Sequence, residues 1–349
     1  MGYLAEQGVG QISLLTSARD NKWVINDPET PAEVREKILY IQELKRYFQE
    51  YWDVSTGRIY TRTTFLDHPA VTYLLIASPH DKIEPHTECF PVMGCFPYLG
   101  FFHPKSARSW AKNLEREGLV TYVRPVYAYS TLGYFSDTIL SSFFVFDKFD
   151  LTELIFHELF HTMFFPPNEV ALNEALATYF AREMTYEYFG EDLDLTTLRK
   201  QNRVLSAKLS AEWTKYVRKL SQKYSKERKK QQRDLKPHES KEILNNFLDN
   251  RVRPHFENFC GDIGLSLSSC FPLNRRWDNA QMAAFMTYQD QMGPIEKLRD
   301  DLDVDIRGLF RHIEARYDDY RDLPRSKRRG ANRVNFSDFL FESKTKNEE

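Results

Sequence analysis

The stretch 150–189, DLTELIFHELFHTMFFPPNEVALNEALATYFAREMTYEYF, holds His157, Glu158 and His161 in the pattern H-E-x-x-H. On an α-helix four steps return to within roughly 40° of the starting direction, so both imidazoles project from one face, a turn apart. That is metal-ligand geometry. Glu158, beside the first histidine, is placed where a carboxylate can act as general base on a metal-activated water without itself binding the metal. The helix is expected independently of the motif. Leu151, Leu154, Ile155, Phe156, Leu159, Phe160 and Met163 form a wide apolar surface that buries the segment. Asp150 suits the N-cap with Glu153 as capping-box partner, and Pro166-Pro167 stops the helix after Phe165.

Zinc in a catalytic site takes three protein ligands and keeps one position open. Glu174, in Asn173-Glu174-Ala175-Leu176-Ala177, is the choice for the third. It falls just after the Pro-Pro turn, early in a second helix expected to run to about Phe189 before Gly190, and so can fold back against the first. Glu169, in the turn or the first helical turn, and Glu183, over two turns beyond Glu174, compete for the role. With nine His among 349 residues, shuffling produces H-E-x-x-H roughly 0.03 times per chain. A lone histidine on an apolar face is usually a satisfied core residue. Two of them a turn apart, with Glu158 between and Asn-Glu downstream, favour a metal site.

Going outward, residues 1 to about 55 read as helical, with Pro31-Ala32-Glu33 opening a segment whose Val34, Ile38, Ile41, Leu44 and Phe48 recur at helical spacing. Val71–Ser78, Leu99–Phe102 and the segment LVTYVRPVYAYS from Leu119 read as strands, with a helix from Pro104 to Glu117 ending at Gly118. Residues 193–250 suggest a helical hairpin with Leu209, Trp213, Val217, Leu220 and Tyr224 on one side. Helices are also expected over 278–289 and from Pro294 to Tyr317. After Leu323 the charged, patternless tail is expected to be disordered or loosely attached.

The length allows one large domain or two modest ones, and the composition is that of a globular protein, 14% aromatic with a formal charge of -2. That balance gives no reason to expect nucleic acid as a partner. The run Lys226-Glu227-Arg228-Lys229-Lys230 reads as a solvated helix face. No apolar run approaches the ~20 residues of a membrane span, and the first residues lack a signal-peptide pattern. Four cysteines are too few for a disulfide-built scaffold. Cys89 and Cys95 could close a bridge across a turn containing Pro91 and Gly94 or remain two buried thiols. Cys260 and Cys270 are the weaker pair.

The metal stretch resembles the predicted bacterial aminopeptidases, zinc-dependent proteins of the gluzincin type. The resemblance extends to Cys89-Phe90-Pro91-Val92 with Gly94-Cys95, to Ala128–Phe135 (AYSTLGYF), and more weakly to Asn279-Ala280 through Thr287-Tyr288, so it spans about Tyr3 to Glu314. It implies one Zn²⁺ per chain on His157, His161 and Glu174, with Glu158 as general base and a peptide as substrate. It also implies a substrate-pairing strand edge at Tyr129, Ser130, Thr131 and Gly133, and Tyr288 as a donor to the oxyanion. The twelve residues between His161 and Glu174 are fewer than in better-known gluzincins. Family members generally carry an export signal, which favours the Cys89–Cys95 bridge and an exported, periplasmic or lipid-anchored protein.

The expected architecture is therefore α/β but mainly helical, a zincin-like metallopeptidase. Residues 1–149 would form an N-terminal helical segment and small sheet-bearing lobe, 150–323 the metal helices and helical C-terminal lobe, and 324–349 a flexible tail. Aminopeptidase activity is implied by the resemblance. Glu153, one turn before His157, could anchor a substrate ammonium, but a capping role explains it equally. An endopeptidase, or a catalytically silent binding protein on the same fold, is the alternative. A structural zinc site would need no general base, and Glu158 argues against silence.

Overall fold

The structure, a computed structural model, describes residues 2–90, 94–128, 137–190, 193–287, 292–328 and 334–342. It is mainly helical with small sheets. No helix among the described residues is long and apolar enough to cross a membrane. The chain divides into two compact units, each assembled from three stretches. One comprises Met1–Gly10, Ala70–Tyr127 and Asp192–Gln289, the other Gln11–Pro69, Ala128–Glu191 and Asp290–Glu349.

In the first unit the strand Thr72–Pro79 is central, paired antiparallel with Leu99–Phe101 on one side and Leu119–Val126 on the other. Its run of apolar residues, buried nearly end to end, reflects cover on both faces. Successive side chains alternate: Leu75 and Ala77 pack with Ala107, Ala111 and Leu114 of the helix Pro104–Arg116, while Leu74 and Ile76 meet Ala284 of the helix Asn279–Thr287. A second core in this unit forms along the helix Leu193–Gln231. Leu209, Trp213, Val217, Leu220 and Tyr224, spaced at three and four, pack with Phe247, Phe256 and Trp277.

That second core contains a Cys260–Cys270 disulfide, the pair that spacing ranked lower. Both sulfurs are buried in the cluster that joins the helix Arg253–Asp262 to the turn after it, a tertiary proximity no local pattern announces. Cys89 lies opposite Cys95 in the antiparallel ladder of Glu88–Phe90 and Gly94–Phe96 and is disulfide-bonded. The side chain of Cys95 is outside the described residues.

The second unit is built on aromatic packing between helices. The helix Ala32–Trp52 buries Ile38, Ile41, Leu44 and Phe48, the stripe its periodicity implies. Phe48 meets Phe156 at 6.2 Å between ring centroids, Trp52 meets Phe180 at 5.8 Å, and Phe160 stacks on Phe180 at 4.8 Å. The strands Arg19–Asp20, Arg62–Thr64 and Ile139–Leu140 form a small mixed sheet here.

Three boundaries differ from expectation. The helix carrying H-E-x-x-H runs Lys148–Met163, capped by Asp147, whose side chain accepts from the Asp150 amide. Asp150 therefore sits in the first turn, where its charge suits the positive end of the helix dipole. The helix expected over 294–317 is two, Met292–Leu302 and Ile306–Asp322. Asp303 adopts a left-handed φ of 50°, and Asp305 restarts the helix by accepting from the Gly308 amide at 2.6 Å. Within the charged tail, Phe336–Phe341 is a helix whose Phe336 is buried and meets Tyr317 at 4.9 Å and Tyr320 at 5.5 Å.

The Cys260–Cys270 bridge spans a sequence separation of 10. Closing so short a loop restrains the unfolded chain by about 3 kcal/mol in the chain-entropy model. Replacing both cysteines by serine should lower the denaturation midpoint correspondingly. An unchanged midpoint would show that the bridge contributes nothing.

Candidate functional site

Two helices of the second unit, Lys148–Met163 and Val170–Tyr188, run antiparallel. Phe149 meets Phe189 at 5.2 Å, at the far end from the turn, while Phe160 stacks on Phe180 nearer to it. The turn between them has its own logic. Pro166 and Pro167 cannot continue the helix, and Asn168 takes a left-handed φ of 65°, a conformation Asn tolerates better than most residues. Buried Asn173 then donates from Nδ2 to the Pro166 carbonyl at 2.8 Å, tying the start of the second helix to the turn. Glu174 is the next residue.

This arrangement brings three side chains together. His157 Nε2 and His161 Nε2 lie 3.1 Å apart, with the ring planes nearly perpendicular at 89°. Glu174 presents one carboxylate oxygen to each, 3.4 Å from His157 Nε2 and 3.4 Å from His161 Nε2. Zinc–ligand bonds of about 2.0–2.1 Å in a tetrahedron place neighbouring donor atoms about 3.3–3.4 Å apart. The donor types and spacings fit such an ion, and these residues form the cluster of potential metal ligands found among the described residues. His157 and the buried His161 come from the apolar face of their helix, whereas the Glu174 side chain is 52% exposed, so the group opens outward on one side.

The other ring nitrogens complete the picture. Thr178, one turn after Glu174, puts its Oγ1 3.4 Å from His157 Nδ1. His161 Nδ1 and Asn173 Oδ1 are buried without a hydrogen-bond partner among the described residues. Thr178 carries no motif in the sequence. Its signal is the i+4 spacing from Glu174, which sets both on one helix face.

The two competing carboxylates are engaged elsewhere in the unit. Glu169 accepts from the Phe336 amide at 2.6 Å, and Glu183 is held by Arg182 at 3.0 Å and Arg299 at 2.8 Å. Tyr129, Ser130, Thr131, Gly133 and Tyr288 lie outside the described residues.

Electrostatics follow from this crowding. Burial works against a charged His157, but contact with Glu174 and the charges of Glu158, Glu174 and Glu153 outweigh it and raise its pKa. Burial would also raise Glu174, yet its hydrogen bonds to the two histidines hold it well below the ordinary carboxylate range. Burial pushes Glu158 up, opposed by His157 and His161 and reinforced by the negative charges of Glu174 and Asp137.

Residues 2–331 match a family model whose description reads "Putative aminopeptidase". No curated protein and no solved structure matches the chain. If the Asn173 amide fixes the turn, Asn173→Ala should lower stability by about 1–3 kcal/mol, because the Pro166 carbonyl loses a buried donor. Thermal unfolding measures this, and a wild-type midpoint would contradict it.

Proposed function

The chain belongs to the aminopeptidase family that this model defines, and on that premise we propose a zinc-dependent aminopeptidase of the gluzincin type with a zincin-like fold. Family membership supports peptidase function. The reading of the metal rests on one observation, the triangle of two Nε2 atoms and a carboxylate at 3.1, 3.4 and 3.4 Å, with Glu158 next to His157 in sequence. His157, His161 and Glu174 would hold one ion per chain. Bound there, zinc would supply Lewis acidity, polarising a peptide carbonyl and making water a better nucleophile near neutral pH.

The chain's own residues do the rest. With a metal held through both Nε2 atoms, each Nδ1 would carry the ring's proton, and the Thr178 hydroxyl, 3.4 Å from His157 Nδ1, would accept the one on His157. Glu158 takes a proton from the attacking water and delivers it to the departing amine as the C–N bond breaks, leaving a carboxylate and a free amine. Phe156 and Phe160 of the same helix pack on Phe48 and Phe180, which anchors the backbone that carries the histidines and Glu158.

Metal analysis of purified protein beside three variants tests this reading. His157→Ala should lose zinc and peptide hydrolysis together. Glu158→Gln should keep the zinc and lose about 10²–10⁴ in turnover. Full zinc affinity in Glu174→Ala would reject the third ligand. A peptide and its N-acetylated form separate the modes of attack, because an aminopeptidase leaves the blocked peptide intact. Equal cleavage of both at internal bonds would make the enzyme an endopeptidase.

A further inference from the structure

The helix Phe336–Phe341 is only six residues long. Isolated helices shorter than about 12–15 residues are marginal in water, so this one persists through what it packs against. Phe336 is fully buried and Leu340 is 3% exposed. Arg316 donates to the Phe339 carbonyl at 2.6 Å, and the Tyr320 hydroxyl donates to the Val334 carbonyl at 3.0 Å.

The start of this short helix is capped from a distant part of the chain. Asn335, at its N-cap, makes no side-chain capping bond. The first helical amide, that of Phe336, instead donates to Glu169 Oε1 at 2.6 Å. A carboxylate there satisfies an amide that the helix itself leaves without a partner, and it suits the positive end of the helix dipole. Glu169 is the N-cap of the helix Val170–Tyr188, yet it gives that helix no side-chain capping bond. Its carboxylate serves the short helix, while its carbonyl accepts from the Asn173 amide at 2.8 Å.

The short helix thereby reaches both ends of the turn that sets the metal ligands. At one end Phe164 meets Tyr317 at 5.5 Å, and Tyr317 meets Phe336 at 4.9 Å. At the other end Glu169 is bonded to the Phe336 amide directly, immediately before the helix that carries Glu174. Phe164 also packs on Phe310, which meets both Phe160 and Phe180 at 5.7 Å. One small element is thus tied into the contacts that hold the two ligand helices in register.

We propose that Phe336–Phe341 is a positioning strap for the metal site, with Glu169 and Phe336 as the positioning residues through which it acts. Docked, it fixes the turn from Phe164 to Glu169 and with it the register of Glu174 against His157 and His161. Released, it leaves the turn looser, and the three ligands hold a divalent cation less tightly. This rests on the metal reading above. Strap docking and ion binding are then linked equilibria, each strengthening the other by the same factor.

The test uses the full chain, with zinc affinity measured by chelator competition. Hydrogen exchange is read at two amides, Phe339 in the strap, bonded to the Asn335 carbonyl, and Asn173, bonded to the Glu169 carbonyl. Phe336→Ala and Glu169→Ala should each weaken zinc about tenfold and speed exchange at Asn173, with a melting temperature near the parent's. In the parent, adding zinc should slow exchange at Phe339. Zinc affinity within twofold of the parent in both variants, or Phe339 exchange indifferent to zinc, overturns the proposal. Should Phe336→Ala melt early, Glu169→Ala, which removes only the acceptor at a partly exposed position, decides alone. If the parent binds no zinc, the metal reading fails separately, and an unchanged Asn173 exchange in Glu169→Ala still rejects the strap.

Discussion

The second unit depends on how two helices are brought back to back across a turn of six residues. Phe164 to Glu169 must reverse the chain while leaving His161 and Glu174 close enough to share a small volume. Two prolines end the first helix, a left-handed Asn168 turns the backbone, and Asn173 clamps the second helix to the Pro166 carbonyl. The stack of Phe160 on Phe180 then fixes the separation of the two axes. With twelve residues between the last histidine and the carboxylate, there is no slack for a different register. A slip of one residue on the second helix would rotate Glu174 by about 100° away from the imidazoles.

The same packing explains why one face of the first helix can carry polar groups at all. Burying His157, His161 and Glu158 costs desolvation, visible in the upward push on Glu158 and in the opposing effects on His157. In the chain alone that cost is partly offset because Glu174 lies against both imidazoles. A divalent cation among these donors would compensate it more fully, since it interacts with all three at once. The half-exposed carboxylate marks the side on which the group meets solvent.

Much of this was legible in the sequence because the signals are local. The i, i+4 spacing of the histidines, the apolar surface beneath them, the Pro-Pro stop and the Asn-Glu pair each act within a few residues. Ile38, Ile41, Leu44 and Phe48 were likewise readable as a buried stripe. What was not legible depends on distant contacts or on close competition. Asp147 and Asp150 both suit an N-cap, and only the backbone decides between them. Asp303 reads as an ordinary helical residue until its left-handed turn is seen. Nothing near Cys260 points to Cys270 rather than to a free thiol, and nothing near Phe336 points to Tyr317. Assembly of each unit from three stretches has no signature in a linear reading either.

The central claim is that His157, His161 and Glu174 hold a zinc ion. Anomalous diffraction across the zinc absorption edge, from crystals of zinc-loaded protein, tests it most directly. The account predicts a single strong peak bounded by the two Nε2 atoms and the Glu174 carboxylate, each about 2.0–2.2 Å away. A peak at any other cluster, or density showing the two imidazoles and Glu174 bonded to each other with no ion between them, would contradict it.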